Sequence, residues 1–190
     1  MSVNAINIEP RAKMHPHKFT MWMAIASIIM IFAGLTSAYI VKSNQANWKP
    51  VVVPQIFWLS TLAILVSSFT LELAIRSFKQ GVMHWYRMMM AITLLLGAGF
   101  LLLQWMGFME LWSQQVTFKG SGAGQFLYVI FGVHGLHVLG GVVVLAILLL
   151  KALFIKQRSD VVSLQVTGMY WHFVDALWIY LLVFFMLIGK

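Results

Sequence analysis

The sequence contains no cysteine. That excludes disulfides, thiolate metal sites and iron–sulfur clusters, and leaves the redox compartment undetermined. Charge is almost as scarce: 9% of the 190 residues are Asp, Glu, Lys or Arg, against about 25% in an ordinary soluble domain. Five acids stand against 13 Lys and Arg, for a net charge of +8. The cations are scattered in short groups rather than gathered along one groove, which argues against a nucleic-acid partner. The polar stretch Met1 to Lys18 lacks a short apolar core followed by a small-residue cleavage site. The sequence therefore predicts no removable signal peptide, and a first apolar stretch that anchors itself.

What is abundant is hydrophobicity, at 61% of residues. A helix needs about 20 mostly apolar residues to cross the hydrocarbon core. Five stretches meet that test: Phe19 to Val41, Ile56 to Ile75, Met88 to Leu111, Gln125 to Leu150 and Gly168 to Gly189. Short connections containing Pro50 and Pro54, Gln80 and Gly81, Gly120 to Gly122, and Gln157 to Asp160 separate them. The expected fold is all-α, a polytopic membrane bundle of five transmembrane helices forming one domain over 19–190 behind a polar segment over 1–18. Lys and Arg accumulate on the cytoplasmic side of membrane proteins. With the N-terminus inside, nine fall on that side (Arg11, Lys13, Lys18, Arg76, Lys79, Arg87, Lys151, Lys156, Arg158) and four on the other (Lys42, Lys49, Lys119, Lys190). This predicts a cytoplasmic N-terminus and a periplasmic C-terminus. Five spans do not divide into two equal inverted halves, so the repeat that marks many transporters is missing.

Glycines let membrane helices approach closely. Gly97 and Gly99 lie in the third span and Gly132, Gly135, Gly140 and Gly141 in the fourth, which predicts an interior fourth span. Ionisable groups inside spans are expensive and each needs a reason. The fourth span carries His134 and His137, the fifth His172 and Asp175, each pair spaced i, i+3 and so on one side of its helix. At about 1.5 Å per residue, His137 lies roughly 18 Å below Gln125 and Asp175 roughly 10 Å from Gly168, which puts the two at similar depth. A His137–Asp175 hydrogen bond or ion pair between facing helices is the expectation.

Such residues can simply join helices through hydrogen bonds. Haem ligation would need two imidazoles at matching depth, and in this register His134 and His172 differ by roughly 10 Å. Copper or zinc would need three or four converging ligands, which the sequence does not offer. Glu72 and Arg76, i, i+4 at the end of the second span, predict an interfacial ion pair. Trp22, Trp48, Trp58, Trp85, Trp112 and Trp171 sit largely near span ends, as in an aromatic belt.

Two strings carry a resemblance: His134-Gly135-Leu136-His137 followed by Val138 and Gly140-Gly141, and Tyr170-Trp171-His172-Phe173-Val174-Asp175 with Trp178. Phe32-Ala33-Gly34-Leu35, Ala38-Tyr39, Ser67-Ser68 with Thr70, and Leu102-Leu103-Gln104 extend it from about Phe19 to the C-terminus. In these the chain resembles subunit III of the haem-copper respiratory oxidases, in its short, five-helix bacterial form. The resemblance implies an accessory, non-redox subunit of a proton-pumping terminal oxidase in the bacterial inner membrane, part of the electron-transport chain that reduces oxygen to water in aerobic respiration. It implies that this chain binds no haem or copper and has no catalytic or metal residue of its own. It would pack against subunit I and other oxidase subunits, order lipid there, and support proton uptake, within a larger respiratory supercomplex where one exists.

Three departures limit what carries over. The two additional N-terminal helices of longer members are missing, so the lipid-holding cleft they help to form does not carry over from the resemblance. Where many members have a buried glutamate after Ala-Ser, Ala26-Ser27 is followed here by Ile28. The glutamate after Leu-Leu-Gln appears as Gly107, with Glu110 three residues on. Read from the residues alone, an independent b-type cytochrome and a small proton channel or transporter stay open as other functions. His15, His17 and His84 could collect protons, because imidazole titrates near neutral pH.

Overall fold

The computed structural model describes residues 16–44, 54–114, 116, 122–155 and 161–188. The basic segment with His15, and Lys156 and Arg158, lie outside them. Among the described residues there are five helices and no strand: α1 Pro16–Ser43, α2 Ile56–Lys79, α3 Met83–Ser113, α4 Gly122–Leu150 and α5 Val161–Ile188, with a π-helical turn Lys151–Ile155 prolonging α4. All five are long and apolar enough to cross a membrane.

The helices outrun the expected spans. α3 begins at Met83 rather than Met88, and α5 at Val161 rather than Gly168. Hydropathy marks the part of a helix inside hydrocarbon, whereas backbone hydrogen bonding continues through the interface. His84 and Arg87 in α3, and Ser163, Gln165 and Thr167 in α5, interrupt the apolar run without interrupting the helix. Asp175 consequently lies about 21 Å from the start of its helix instead of roughly 10 Å.

α2 and α3 form an antiparallel hairpin. α2 ends in a Schellman motif: Val82 N–H donates to the Ser77 carbonyl at 3.0 Å and Gly81 N–H to the Phe78 carbonyl at 3.1 Å. Gly81 supplies the left-handed residue this requires, at φ 78°. From there the hairpin stays paired to its far end, through Phe78 on Tyr86, Thr70 on Thr93 at 2.8 Å, Gln104 donating to Ser60 at 3.1 Å, and Phe57 against Gly107. α4 packs on α3, α5 on both α2 and α4, and α1 on α4 and α5.

The expectation of an interior fourth helix is corrected. Half of the most apolar stretch of α5 is buried (50%), against 28% in α4. Depth in the bundle follows the large aromatic side chains of α5 rather than the glycines of α4. Of the four α4 glycines at 132, 135, 140 and 141, only Gly141 is packed, because a methyl there would lie 2.9 Å from the Trp171 ring; Gly132, Gly135 and Gly140 face open space, as does Gly99 of α3. Gly97 does the same service on α3, 2.8 Å from Trp171. The two glycines form a slot for one indole.

Adjacent glycines should therefore respond oppositely. Gly141→Ala overpacks the Trp171 slot and should cost about 1–3 kcal/mol, whereas Gly140→Ala, in open space, should gain up to about 1 kcal/mol of helix propensity. Thermal denaturation of the two variants in the same detergent compares them directly.

Candidate functional site

The ionisable and aromatic residues of the two motifs gather where α5 crosses α2 and α4. Trp178, fully buried, is the hub. Its ring lies 5.9 Å from Phe57 of α2, 5.2 Å from Phe100 of α3, and 5.0 and 5.2 Å from Phe131 and His134 of α4. Its indole N–H donates to the Thr61 hydroxyl at 2.9 Å. Two turns away on α5, the Trp171 N–H donates to Ser67 at 2.9 Å. An indole has one N–H and no acceptor, so its burial in apolar surroundings requires an acceptor from another helix, and α2 supplies both. Neither tryptophan belongs to an interfacial belt; Trp171 is a core residue despite the expectation from its place in the sequence.

His172 continues the pattern, one ring nitrogen bonded to the Ser68 hydroxyl. Tyr170 turns the other way and donates to the His137 carbonyl of α4 at 2.9 Å. The hydroxyls of α2 that receive these bonds were only partly legible. Ser67, Ser68 and Thr70 fall in a family string, while Thr61 lies outside every motif of the sequence. The available signal was a stripe of hydroxyls at 60, 61, 67 and 68, recurring on one side of an otherwise apolar helix.

The expected His137–Asp175 pair is not formed. His137 Nδ1 bonds the Val133 carbonyl of its own helix at 2.8 Å, and its ring meets Phe32 of α1 at 5.9 Å. Asp175 is directed to α2 instead. Its carboxyl lies beside Ser68, but neither oxygen has a hydrogen-bond partner among the described residues. Similar depth was a necessary condition; the rotation of each helix about its axis, which depth leaves open, decided against the pair.

His134 is fully buried and stacks on Trp178, with Phe32 and Phe100 at its edges at 6.3 and 6.1 Å; neither ring nitrogen is bonded among the described residues. Gly135 faces open space. Phe173, with Phe32 and Leu177, lines an apolar groove of ≈ 320 Å³ between α1 and α5, and Thr36 and Tyr180 join the two helices at 3.2 Å. Ile28 is a buried apolar contact. Glu72 and Arg76 meet at 2.9 Å with both side chains substantially exposed, so their attraction is weakened by solvent. Among the described residues, no three His, Asp or Glu side chains converge as a metal-binding group.

A double-mutant cycle isolates the central bond. Trp171→Phe and Ser67→Ala should each destabilise the bundle, with a coupling of about 0.5–1.7 kcal/mol between them; additive losses in denaturant unfolding would mean that the bond contributes nothing.

The family model described as cytochrome c oxidase subunit III matches residues 10–190. A probable cytochrome c oxidase subunit 3 of Nocardia farcinica is 33% identical over 161 residues, covering 82% of this chain and 79% of that protein. The cytochrome c oxidase subunit 3 of Bacillus sp. PS3 is 28% identical over 174 residues, 88% of this chain and 84% of the relative. The quinol oxidase subunit 3 of Bacillus subtilis is 27% identical over 176 residues, 88% and 85% of the two.

Proposed function

The chain belongs to the cytochrome c oxidase subunit III family, and from that membership we propose how it works in its complex. It is an accessory subunit of a haem-copper oxidase, a multi-pass bacterial membrane protein whose partners are other oxidase subunits. Its own part is that of a membrane scaffold. It packs against subunit I, which carries the haem and copper, holds that subunit's transmembrane surface in place, and so sustains its proton uptake. The N-terminus faces the cytoplasm, a reading supported by the nine-to-four distribution of Lys and Arg.

The observation that carries the scaffold reading is how the family motif of α5 is used. Tyr170, Trp171, His172 and Trp178 each form a hydrogen bond with another helix. In lipid, where apolar surfaces gain nothing by leaving one solvent for another, such bonds and close packing are what join helices. The motif is a set of joints. A b-type cytochrome would instead need two imidazoles aimed at one porphyrin. His134 is directed into the aromatic centre and His172 to α2.

An affinity tag on this chain, with gentle solubilisation of native membranes, tests the proposal. Haem-copper subunits should co-purify, and His134→Ala should leave the haem spectrum per complex unchanged. Recovery without any haem-copper subunit, or a haem band that disappears with His134, would overturn it.

A further inference from the structure

A charge inside hydrocarbon is costly unless a counter-ion or several hydrogen bonds offset it. Asp175 has neither. It is 4% exposed, both of its carboxyl oxygens lack a hydrogen bond among the described residues, and the polar side chain beside it is Ser68, midway along α2. Ser68 is itself bonded to Nδ1 of His172, which stands one turn before Asp175 on α5. An acid and an imidazole of one helix thus meet at a single hydroxyl of another.

Among the described residues, the helices packed on α5 bring no free cation to this level. α2 carries Glu72 and Arg76, which meet each other at 2.9 Å. α4 carries His134, enclosed by aromatic rings, and His137, whose Nδ1 bonds its own helix, with Lys151 beyond its end. α1 carries Lys18 and Lys42 near its two ends, and Tyr39 among aromatic rings. On α5 itself, Tyr170 donates to the His137 carbonyl and Tyr180 meets Thr36.

The hydrogens of the three groups can be counted. An ionised Asp175 would add acceptors only, beside a hydroxyl with one hydrogen to give. As a neutral acid it has an O–H of its own. Ser68 can accept from that O–H and donate its own hydrogen to Nδ1, which leaves the imidazole hydrogen on Nε2. Each hydrogen shared among the three then has an acceptor, and no net charge is buried.

We propose that Asp175, Ser68 and His172 form a proton-sharing site at the contact of α2 with α5, in which Asp175 holds the proton and Ser68 relays it to His172. In the relay the Asp175 O–H bond breaks as the Ser68 oxygen takes that hydrogen, and the original Ser68 O–H bond breaks as Nδ1 takes the other. A carboxylate and an imidazolium result, the serine is regenerated, and the net charge stays zero. Asp175 is buried and His172 is partly exposed, so the relay carries positive charge to the edge of the bundle, and the polarity there sets which form prevails. The site is a property of the bundle and stands apart from the accessory role.

Infrared spectroscopy of the purified intact complex tests it, with aspartate carrying heavy carbon in its side-chain carboxyl. The difference between wild type and Asp175→Asn isolates one acid among all those of the complex. It should contain the C=O stretch of a protonated carboxylic acid, above the amide I band, displaced by the label and lost in the variant. Ser68→Ala should keep this band and shift it, because the acid loses its hydrogen-bond partner. A carboxylate signal in place of the acid band would overturn the site, and an acid band unmoved by Ser68→Ala would overturn the relay. If Asp175→Asn does not assemble, the labelled difference between wild type and Ser68→Ala decides: a shifted acid band supports the site, and its absence overturns it.

Discussion

The bundle depends on two indole N–H groups being satisfied by hydroxyls of a neighbouring helix. In water, burying Trp171 and Trp178 would be driven by their apolar surface alone. In a bilayer that drive is gone, and shape and hydrogen bonding decide which helix lies against which. Ser67 and Thr61 fix both the register and the rotation of α5 on α2 through bonds of 2.9 Å. Gly97 and Gly141 clear the space that the Trp171 ring fills, from α3 and α4. With α5 held, its other side chains have defined addresses: Tyr170 on α4, His172 on α2, and Trp178 at the meeting point of four helices.

The number of helices was legible from hydropathy, since lipid allows few ways to cross and each leaves a long apolar signal. The importance of α4 and α5 was legible too, because ionisable residues in apolar helices are costly. Their arrangement was not. Apolar residues surround a membrane helix on all sides, so the contrast that reveals the inner face of a soluble helix is lacking. Hence Gly132, Gly135 and Gly140 read the same as Gly141 although only the last is packed, and His137 could be set opposite Asp175 on depth alone. The hydroxyl stripe of α2 was the one sequence feature that indicated rotation, and it needed the tryptophans beside it to be understood.

The same separation explains what family membership adds. The match over residues 10–190 identifies the complex, while the coordinates indicate what the recognisable strings do: they hold helices together. Ile28 is a buried apolar contact on α1, and this chain's buried acid, Asp175, sits on α5 and borders α2. The relatives are named as subunits of both cytochrome c and quinol oxidases, and the tryptophans of the α5 motif, Trp171 and Trp178, face inward.

The tight turn between α2 and α3 has a consequence for how the protein is made. Its capping bonds and the Thr70–Thr93 contact all lie within one hairpin, so they can form before α5 has left the ribosome. Until then Thr61, Ser67 and Ser68 lack the tryptophan and histidine groups that complete them, and they face hydrocarbon. A nascent chain thus carries a polar stripe whose Thr61 and Ser67 the docked α5 buries. Docking of α5 is what gives that stripe its interhelical partners, so the order of the helices along the chain is also an order in which polar groups are covered.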